Sequence, residues 1–334
     1  MLTTEADMAA VVRVAVGVVQ DASGRVLIAR RPDHVHQGGL WEFPGGKMDE
    51  GETLTHALTR ELEEELAIRV REAESLIDIR HHYPDKSVWL QVCRVTCFEG
   101  EPQGNEGQPV RWVSPEALLD YDFPAANRPI VNAIRLPSQW VITGPSLSED
   151  DWMERLQEAL RRGARALILR APELSVEQYR HRARQALALC QAFDARLLAH
   201  GPEAHCDEAL GGWHMNGEAL ARCSQRPVPP SRWWGASCHS PGELARAVEL
   251  GVDYVTLSPV NVTESHPDIA PLGWRQFAQW VADTPLPVYA LGGMTAQDLE
   301  QAKASGAQGI AGIRFGWPLF NSLSNNQSRP LGRV

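Results

Sequence analysis

The hydrophobic pattern changes rhythm partway along the chain. Residues 11–20 alternate and are rich in β-branched side chains, as a half-buried strand should be, and 26–29 read as a partner across an Ala22-Ser23-Gly24 turn. A helix is expected over 54–66, strands over 75–82, 88–98 and 110–113, a loop from Glu99-Gly100-Glu101-Pro102, and a helix over 125–136. From residue 140 onward, short apolar runs alternate with amphipathic helical stretches. The strands expected there cover 140–143, 166–170, 196–200, 212–215, 233–238, 254–258, 287–291 and 309–314. Between them lie helices such as 149–162, 176–193, 241–250, 274–282 and 296–305. Eight strands mostly separated by helices indicate a closed (β/α)8 barrel, with an open doubly wound sheet as the competing arrangement. The expected fold is two-domain α/β: an α+β unit over 8–136, a barrel over 139–318 and a polar, pattern-poor tail over 319–334. Pro137-Ser138 is too short for a flexible linker, so the halves should touch.

Composition narrows the partners. The net charge of −10 over 334 residues argues against polymeric nucleic acid, while leaving small nucleotides open if metal ions screen their phosphates. Six cysteines without a CxxC pair read as buried or idle thiols of a reducing compartment. MLTTEADMAA lacks an apolar signal core and no apolar run reaches membrane-span length, so a cytoplasmic location away from membranes is expected.

The candidate chemistry gathers in GGKMDEGETLTHALTRELEEELAI, residues 45–68. A glycine turn leads into a helix carrying Arg60, Glu61, Glu64 and Glu65. Residues three and four apart share a helix face, so Glu61, Glu64 and Glu65 project together and should repel unless a cation sits among them. Oxygen ligands without Cys or His suit Mg²⁺ or Mn²⁺ rather than zinc. A solvated acidic face is the bland alternative, and the long-range spacing decides against it. Gly46, Glu52, Arg60-Glu61-Leu62, Glu64-Glu65 and Ile68 together resemble the Nudix box, G-x5-E-x7-R-E-U-x-E-E-x-G-U. One position departs: Ala67 stands where the family has the glycine that ends the helix. The resemblance covers roughly 11–136 and is closest to the MutT-type 8-oxo-dGTP diphosphatases, through LWEFPGGK (40–47) and EGEPQGNEGQPVRWVSPEALLDYDFPAANRPI (99–130).

That resemblance implies a Nudix α/β/α sandwich and roles position by position. Gly45 would give a carbonyl to Mg²⁺; Glu61, Glu64, Glu65 and Glu106 would be its carboxylate ligands. Glu61 is the favoured general base, and Arg60 would orient a glutamate. Arg31, His36, Glu42, Phe43 and Pro44 would line the nucleotide site, and Asn127 would pair with the purine edge. Asn127 reads alternatively as a helix cap. The implied reaction is 8-oxo-dGTP to 8-oxo-dGMP and pyrophosphate, which keeps oxidised guanine out of DNA.

The second half resembles the thiamine-phosphate synthase and TenI family through LILRAPELS (167–175), GWHMNGEAL (212–220), GASCHSPGELARA (235–247), DYVTLSPVNVTESHPD (253–268) and ALGGMT (290–295). Gly292-Gly293 at the seventh strand end and Gly312 in the eighth fall where such barrels bind phosphate. Three positions depart from the synthases. Ala199-His200-Gly201 replaces the stretch with the first Mg²⁺-binding aspartate, Ala219 the second aspartate, and Pro172 the lysine two positions beyond Arg170. The barrel is therefore expected to be a degenerate module for a phosphorylated or thiazole-like ligand. His214, His239 and His266 are candidates for other chemistry or plain packing. The alternative is a bifunctional thiamine-pathway enzyme. Oligomeric state stays open.

Overall fold

The computed structural model describes residues 11–35, 37–82, 87–263 and 269–318, with the side chain of His82 excepted. The expected sites His36 and His266 and the 319–334 tail lie outside these.

Among the described residues the first half is built from seven strands and two α-helices. β1 (Val12–Val19), β4 (Gly45–Lys47), β5 (Arg69–His82) and β6 (Ser87–Glu99) form one sheet in the order β4-β1-β6-β5. β2 (Val26–Arg30), β3 (Trp41–Glu42) and β7 (Val110–Val113) form a second, in the order β3-β2-β7. Alternation in β1 explains the layering, because successive side chains point to opposite faces. Ala15 and Val19 pack with Leu58, Leu62 and Leu66 of α1 (Leu54–Leu66). Val16 and Val18 pack with Ile130, Val131 and Ala133 of α2 (Arg128–Arg135). One helix thus covers each face. Gly17 lies under α1, where an added Cβ would come within 2.9 Å of a Leu62 methyl.

Two details depart from the expected pattern. LWEFPGGK supplies β3 and β4, two very short strands on either side of Phe43-Pro44. β5 begins six residues before the expected start, at Arg69 rather than 75, and irregularities in its pairing with β6 break the strict alternation that would have revealed it.

The second half is a closed, all-parallel barrel of eight strands. In chain order these are β8 (Gln139–Ile142), β9 (Ala166–Leu169), β10 (Arg196–Gly201), β11 (Gly212–Met215), β12 (Trp233–Cys238), β13 (Tyr254–Leu257), β14 (Val288–Leu291) and β15 (Gly309–Gly312). β15 pairs with β8 and closes the ring. The outer helices are α3 (Glu149–Arg161), α4 (Val176–Ala192), α5 (Gly217–Arg222), α6 (Pro241–Leu250), α7 (Gly273–Ala282) and α8 (Asp298–Ala304). The lumen is filled by Trp140, Ile142, Ile168, Leu198, Trp233, Tyr254 and Tyr289. Trp140 stacks on Tyr254 with ring centroids 5.5 Å apart. Among the described residues no helix is long and apolar enough to cross a membrane.

The halves are joined tightly. Leu136, just past α2, belongs to the lumen cluster. Gln308 Nε2 donates to the Ala133 carbonyl at 3.0 Å, satisfying an end carbonyl of α2 that its own helix cannot. The Ile310 N–H donates to the Ser138 carbonyl at 3.0 Å, and the Tyr289 hydroxyl donates to that of Pro137. Asn132 Nδ2 reaches the Asp253 carbonyl at 3.4 Å.

Ala67 ends α1 in the left-handed region, with φ 56° and ψ 32°. The Ala67 N–H donates to the Glu63 carbonyl at 3.1 Å, the 5→1 bond of an αL cap, and the Ile68 N–H reaches the Leu62 carbonyl at 3.3 Å. The helix end therefore stays where a glycine would put it, and the alanine bears the backbone strain. Ala67→Gly should raise stability by about 1 kcal/mol. A urea midpoint left unchanged or lowered by the substitution would contradict this.

Candidate active site

α1 starts at Thr53, whose hydroxyl accepts from the His56 N–H at 3.3 Å. Burying Ala57, Leu58, Leu62 and Leu66 turns Arg60, Glu61, Glu64 and Glu65 away from the apolar face. Arg60 organises this polar side. Its Nε and Nη2 grip the two carboxylate oxygens of Glu52 at 3.1 and 2.8 Å. Nη1 donates to Glu61 Oε1 at 2.7 Å, and Nη2 also reaches the Lys47 carbonyl at 3.1 Å. Glu64 lies 3.6 Å from the same guanidinium. This grip holds the Glu52 carboxyl down to about 2, well below the usual carboxylate value. Glu52 belongs to the box spacing but was not among the expected site residues. Its side chain is only 6% exposed, and it anchors the arginine that holds Glu61.

The two glycines of β4 make room for this arrangement. At Gly46 an added Cβ would fall 2.1 Å from a Glu61 oxygen. At Gly45 it would fall 2.1 Å from the Ala15 carbonyl, and φ there is 143°. The Gly45 N–H donates to Glu65 Oε2 at 3.0 Å. Burial pushes Glu65 up to about 8 despite that hydrogen bond, and the nearby charges of Glu42, Glu61 and Glu106 add to the rise. The loop carrying Glu106 docks on the end of α1. Asn105 Nδ2 donates to the Glu64 carbonyl and Gln108 Nε2 to that of Glu65, both at 2.9 Å. Among the described residues no three acidic, histidine or cysteine side chains form a ready cation cage. Arg60 holds Glu61, the Gly45 N–H holds Glu65, and Glu64 is 61% exposed at its side chain.

The expected nucleotide-site residues separate into two groups. Arg31 and Glu42 form an ion pair at the edge of β3, and burial raises the Glu42 carboxyl while Arg31 opposes the rise. Phe43 and Pro44 are buried. Phe43 stacks on Phe123 with centroids 5.2 Å apart, tying β3 to the FPAAN segment. Asn127 ends a 3-10 turn and stands at the N-cap position of α2, but its side chain makes no capping hydrogen bond. Of the two readings of Asn127, the helix cap is therefore not supported.

In the barrel, a cavity of about 260 Å³ is lined from Ile142 at the end of β8 round to Ile313 just past β15, with Arg170, His200, His214, Ser237 and His239 between them. Burial, with Arg170 and His205 nearby, lowers His200 to about 4. His214 is buried between the Tyr254 hydroxyl and Ser237 Oγ, both at 3.0 Å, and burial holds it well below the usual histidine value. Gly292, Gly293 and Gly312 do not line this cavity. Gly292 accepts the Asn261 N–H at 3.1 Å, and a Cβ on Gly292 or Gly293 would strike the segment 259–262. These two glycines make room for that segment.

The fold and site define a mixed α/β protein with a carboxylate-bearing helix, carried on a (β/α)8 barrel. Residues 140–315, a little over half of the chain, match the family model described as thiamine monophosphate synthase, and residues 15–133 match that of the NUDIX domain. The chain belongs to both families, as a Nudix hydrolase in its first half and a thiamine-phosphate synthase/TenI protein in its second. It is 37% identical over 123 residues to the 8-oxo-dGTP diphosphatase of Escherichia coli (strain K12), covering 37% of this chain and 95% of that protein. It is 36% identical over 118 residues to the CTP pyrophosphohydrolase of the same strain, covering 35% of this chain and 87% of that protein. Over 184 residues it is 31% identical to the putative thiamine-phosphate synthase 2 of Aquifex aeolicus (strain VF5), covering 54% of this chain and 97% of that protein.

Glu65 sets a pH dependence. Its folded value of about 8 exceeds its ordinary 4.5, so the folded chain binds this proton more tightly than the unfolded chain. The resulting stability is complete below about 4.5 and is lost as pH rises through about 8. In chelator-treated protein, the urea midpoint should fall between pH 5.5 and 8.5 more steeply than in Glu65→Gln. Parallel profiles for the two proteins would refute the assignment.

Proposed function

We propose that the first half is a Mg²⁺-dependent nucleoside triphosphate pyrophosphohydrolase preferring 8-oxo-dGTP, with Mn²⁺ able to substitute. The observation that carries this reading is Glu65, a buried carboxyl opposed by Glu42, Glu61 and Glu106. An all-oxygen set with this excess of negative charge suits a hard divalent ion. The Gly45 carbonyl, Glu61, Glu64, Glu65 and Glu106 would hold it, and exposed Glu64 has room to turn inward. Bound there, the ion would offset polyphosphate charge and make water a better nucleophile.

The chain's own groups supply the rest. Arg60, locked to Glu52, fixes the rotamer of Glu61 through Oε1. Glu61 Oε2 stays unengaged among hydrogen bonds of the described residues, and we assign it the proton of the attacking water. Asn127 has a donor and an acceptor on one side chain, which suits a purine edge. Oxidised guanine carries N7–H where guanine has a lone pair, so an acceptor placed there favours the oxidised base. The products would be 8-oxo-dGMP and pyrophosphate, a nucleotide-pool cleansing reaction suited to the cytoplasm.

For the barrel we propose a phosphate- or thiazole-binding module without synthase activity. His200 stands in the stretch where synthases carry their first metal-binding aspartate, and a buried neutral imidazole does not replace a carboxylate for Mg²⁺. The second reading, a bifunctional thiamine-pathway enzyme, draws on the family of the barrel.

Turnover of 8-oxo-dGTP, dGTP, CTP, thiamine diphosphate and hydroxymethylpyrimidine diphosphate would be compared, with Glu65→Gln as the blank. We expect kcat/KM for 8-oxo-dGTP to exceed that for dGTP by about tenfold or more. Glu65→Gln should lose on the order of 10²-fold or more. Equal rates on dGTP and its oxidised form, or faster CTP turnover, would remove the oxidised-guanine preference. Faster thiamine-pathway turnover would establish the second reading instead.

A further inference from the structure

A second groove lies where the two halves meet, remote in chain position from the carboxylate helix. It encloses about 680 Å³ and is lined by Arg135 and Leu136 from the first half and by Trp140, Arg165 and Arg196 from the barrel. Three arginine side chains therefore border one space. Arg165 Nη1 is committed to the backbone, donating to the Leu160 and Ala164 carbonyls at 2.9 Å each. Arg135 and Arg196 lie against the same indole, 4.6 and 5.7 Å from the ring of buried Trp233. Stacking uses the flat face of a guanidinium and leaves its N–H edge for an in-plane acceptor.

No protein group takes that role among the described residues. Arg135 Nε is buried without a hydrogen-bond partner. Glu116 and Asp194 also line the groove, but neither forms an ion pair with the three arginines. Asp253, the nearest buried acid, is already gripped by Arg226 at 2.7 and 2.9 Å and by the Trp234 N–H at 2.9 Å. Burial and the charge of Arg196 lower the Arg135 guanidinium, with Asp253 and Glu116 opposing the shift only in part. Two half-buried cations that stack on one indole without a direct ion pair are costly unless an anion completes them.

We propose that this groove binds a phosphate or diphosphate group of a small anion, with Arg135 and Arg196 as its ligands. The fork of a guanidinium matches phosphate oxygens bidentately, and the volume falls within the range of small-molecule sites. Because one arginine comes from each half, the bound anion would tie the halves together. The proposal is independent of the reaction assigned to the first half.

Calorimetric titration of the full chain with inorganic phosphate and with pyrophosphate, in EDTA at constant ionic strength, tests it. We expect saturable binding of at least one of the two. Arg135→Gln and Arg196→Gln should each weaken it about tenfold, Arg196→Lys less, and Arg222→Gln, at an exposed arginine of α5 that does not line the groove, should leave it unchanged. Arg196→Lys keeps the charge and the aliphatic stem, and provides a second variant if Arg135→Gln proves unstable. Absence of saturable binding, or binding that Arg170→Gln in the barrel cavity weakens and Arg196→Gln does not, would overturn the proposal.

Discussion

Repulsion among carboxylates is the constraint around which the first half is arranged. Glu52, Glu61, Glu64 and Glu65 converge on one end of β4, and Arg60 is the internal cation that makes this tolerable. By holding Glu52 and Glu61 with the two ends of one guanidinium, it also sets the distance between the β4–α1 turn and the helix. Glycine at 46 follows directly, since no other residue leaves room for the Glu61 carboxylate. Glu65 lies outside the reach of Arg60 and keeps its proton instead. The same electrostatic problem thus has two local answers, a fixed ion pair and a raised carboxyl. The raised carboxyl is the one that responds to an added cation or a change of pH.

The joint between the halves is a second constraint. α2 covers one face of the Nudix sheets, and the residue that follows it enters the base of the barrel lumen. Its end carbonyl is satisfied by Gln308 from the barrel, so the helix is shared by both units. A three-residue connection of this kind leaves little freedom for the halves to reorient, and it also presses Arg135 against the barrel tryptophan at position 233. The arginine-lined groove follows from that packing.

At the other end, the barrel cavity has the opposite electrostatic character from the Nudix site. Among the described residues its lining contains Arg170 and three histidines and no carboxylate. Burial lowers two of those histidines, so they serve as neutral hydrogen-bonding groups. Such a lining favours an anionic or heteroaromatic ligand over a metal-bound diphosphate. A neutral His200 therefore supports the proposal of a barrel without synthase activity.

Much of this was legible in the residues alone, because it rests on local periodicity and fixed spacing. Alternation over 11–20, the α1 segment and the eight apolar runs of the barrel follow from how side chains repeat along strands and helices. The box spacing placed Arg60, Glu61, Glu64 and Glu65 on one helix, and the change of rhythm near residue 140 separated the halves. What the residues could not reveal depends on contacts between distant segments. Phe43 reads as a site residue in LWEFPGGK, yet stacking on Phe123 buries it. Asn127 reads equally as cap or ligand until the helix geometry leaves its side chain unused by the cap. Glu52 gains its anchoring role only when β4 and α1 fold back on each other. Tertiary structure alone decided which charges are paired, because pairing and burial depend on distance in space, and the strength of a charge depends on the neighbours that exclude water from it.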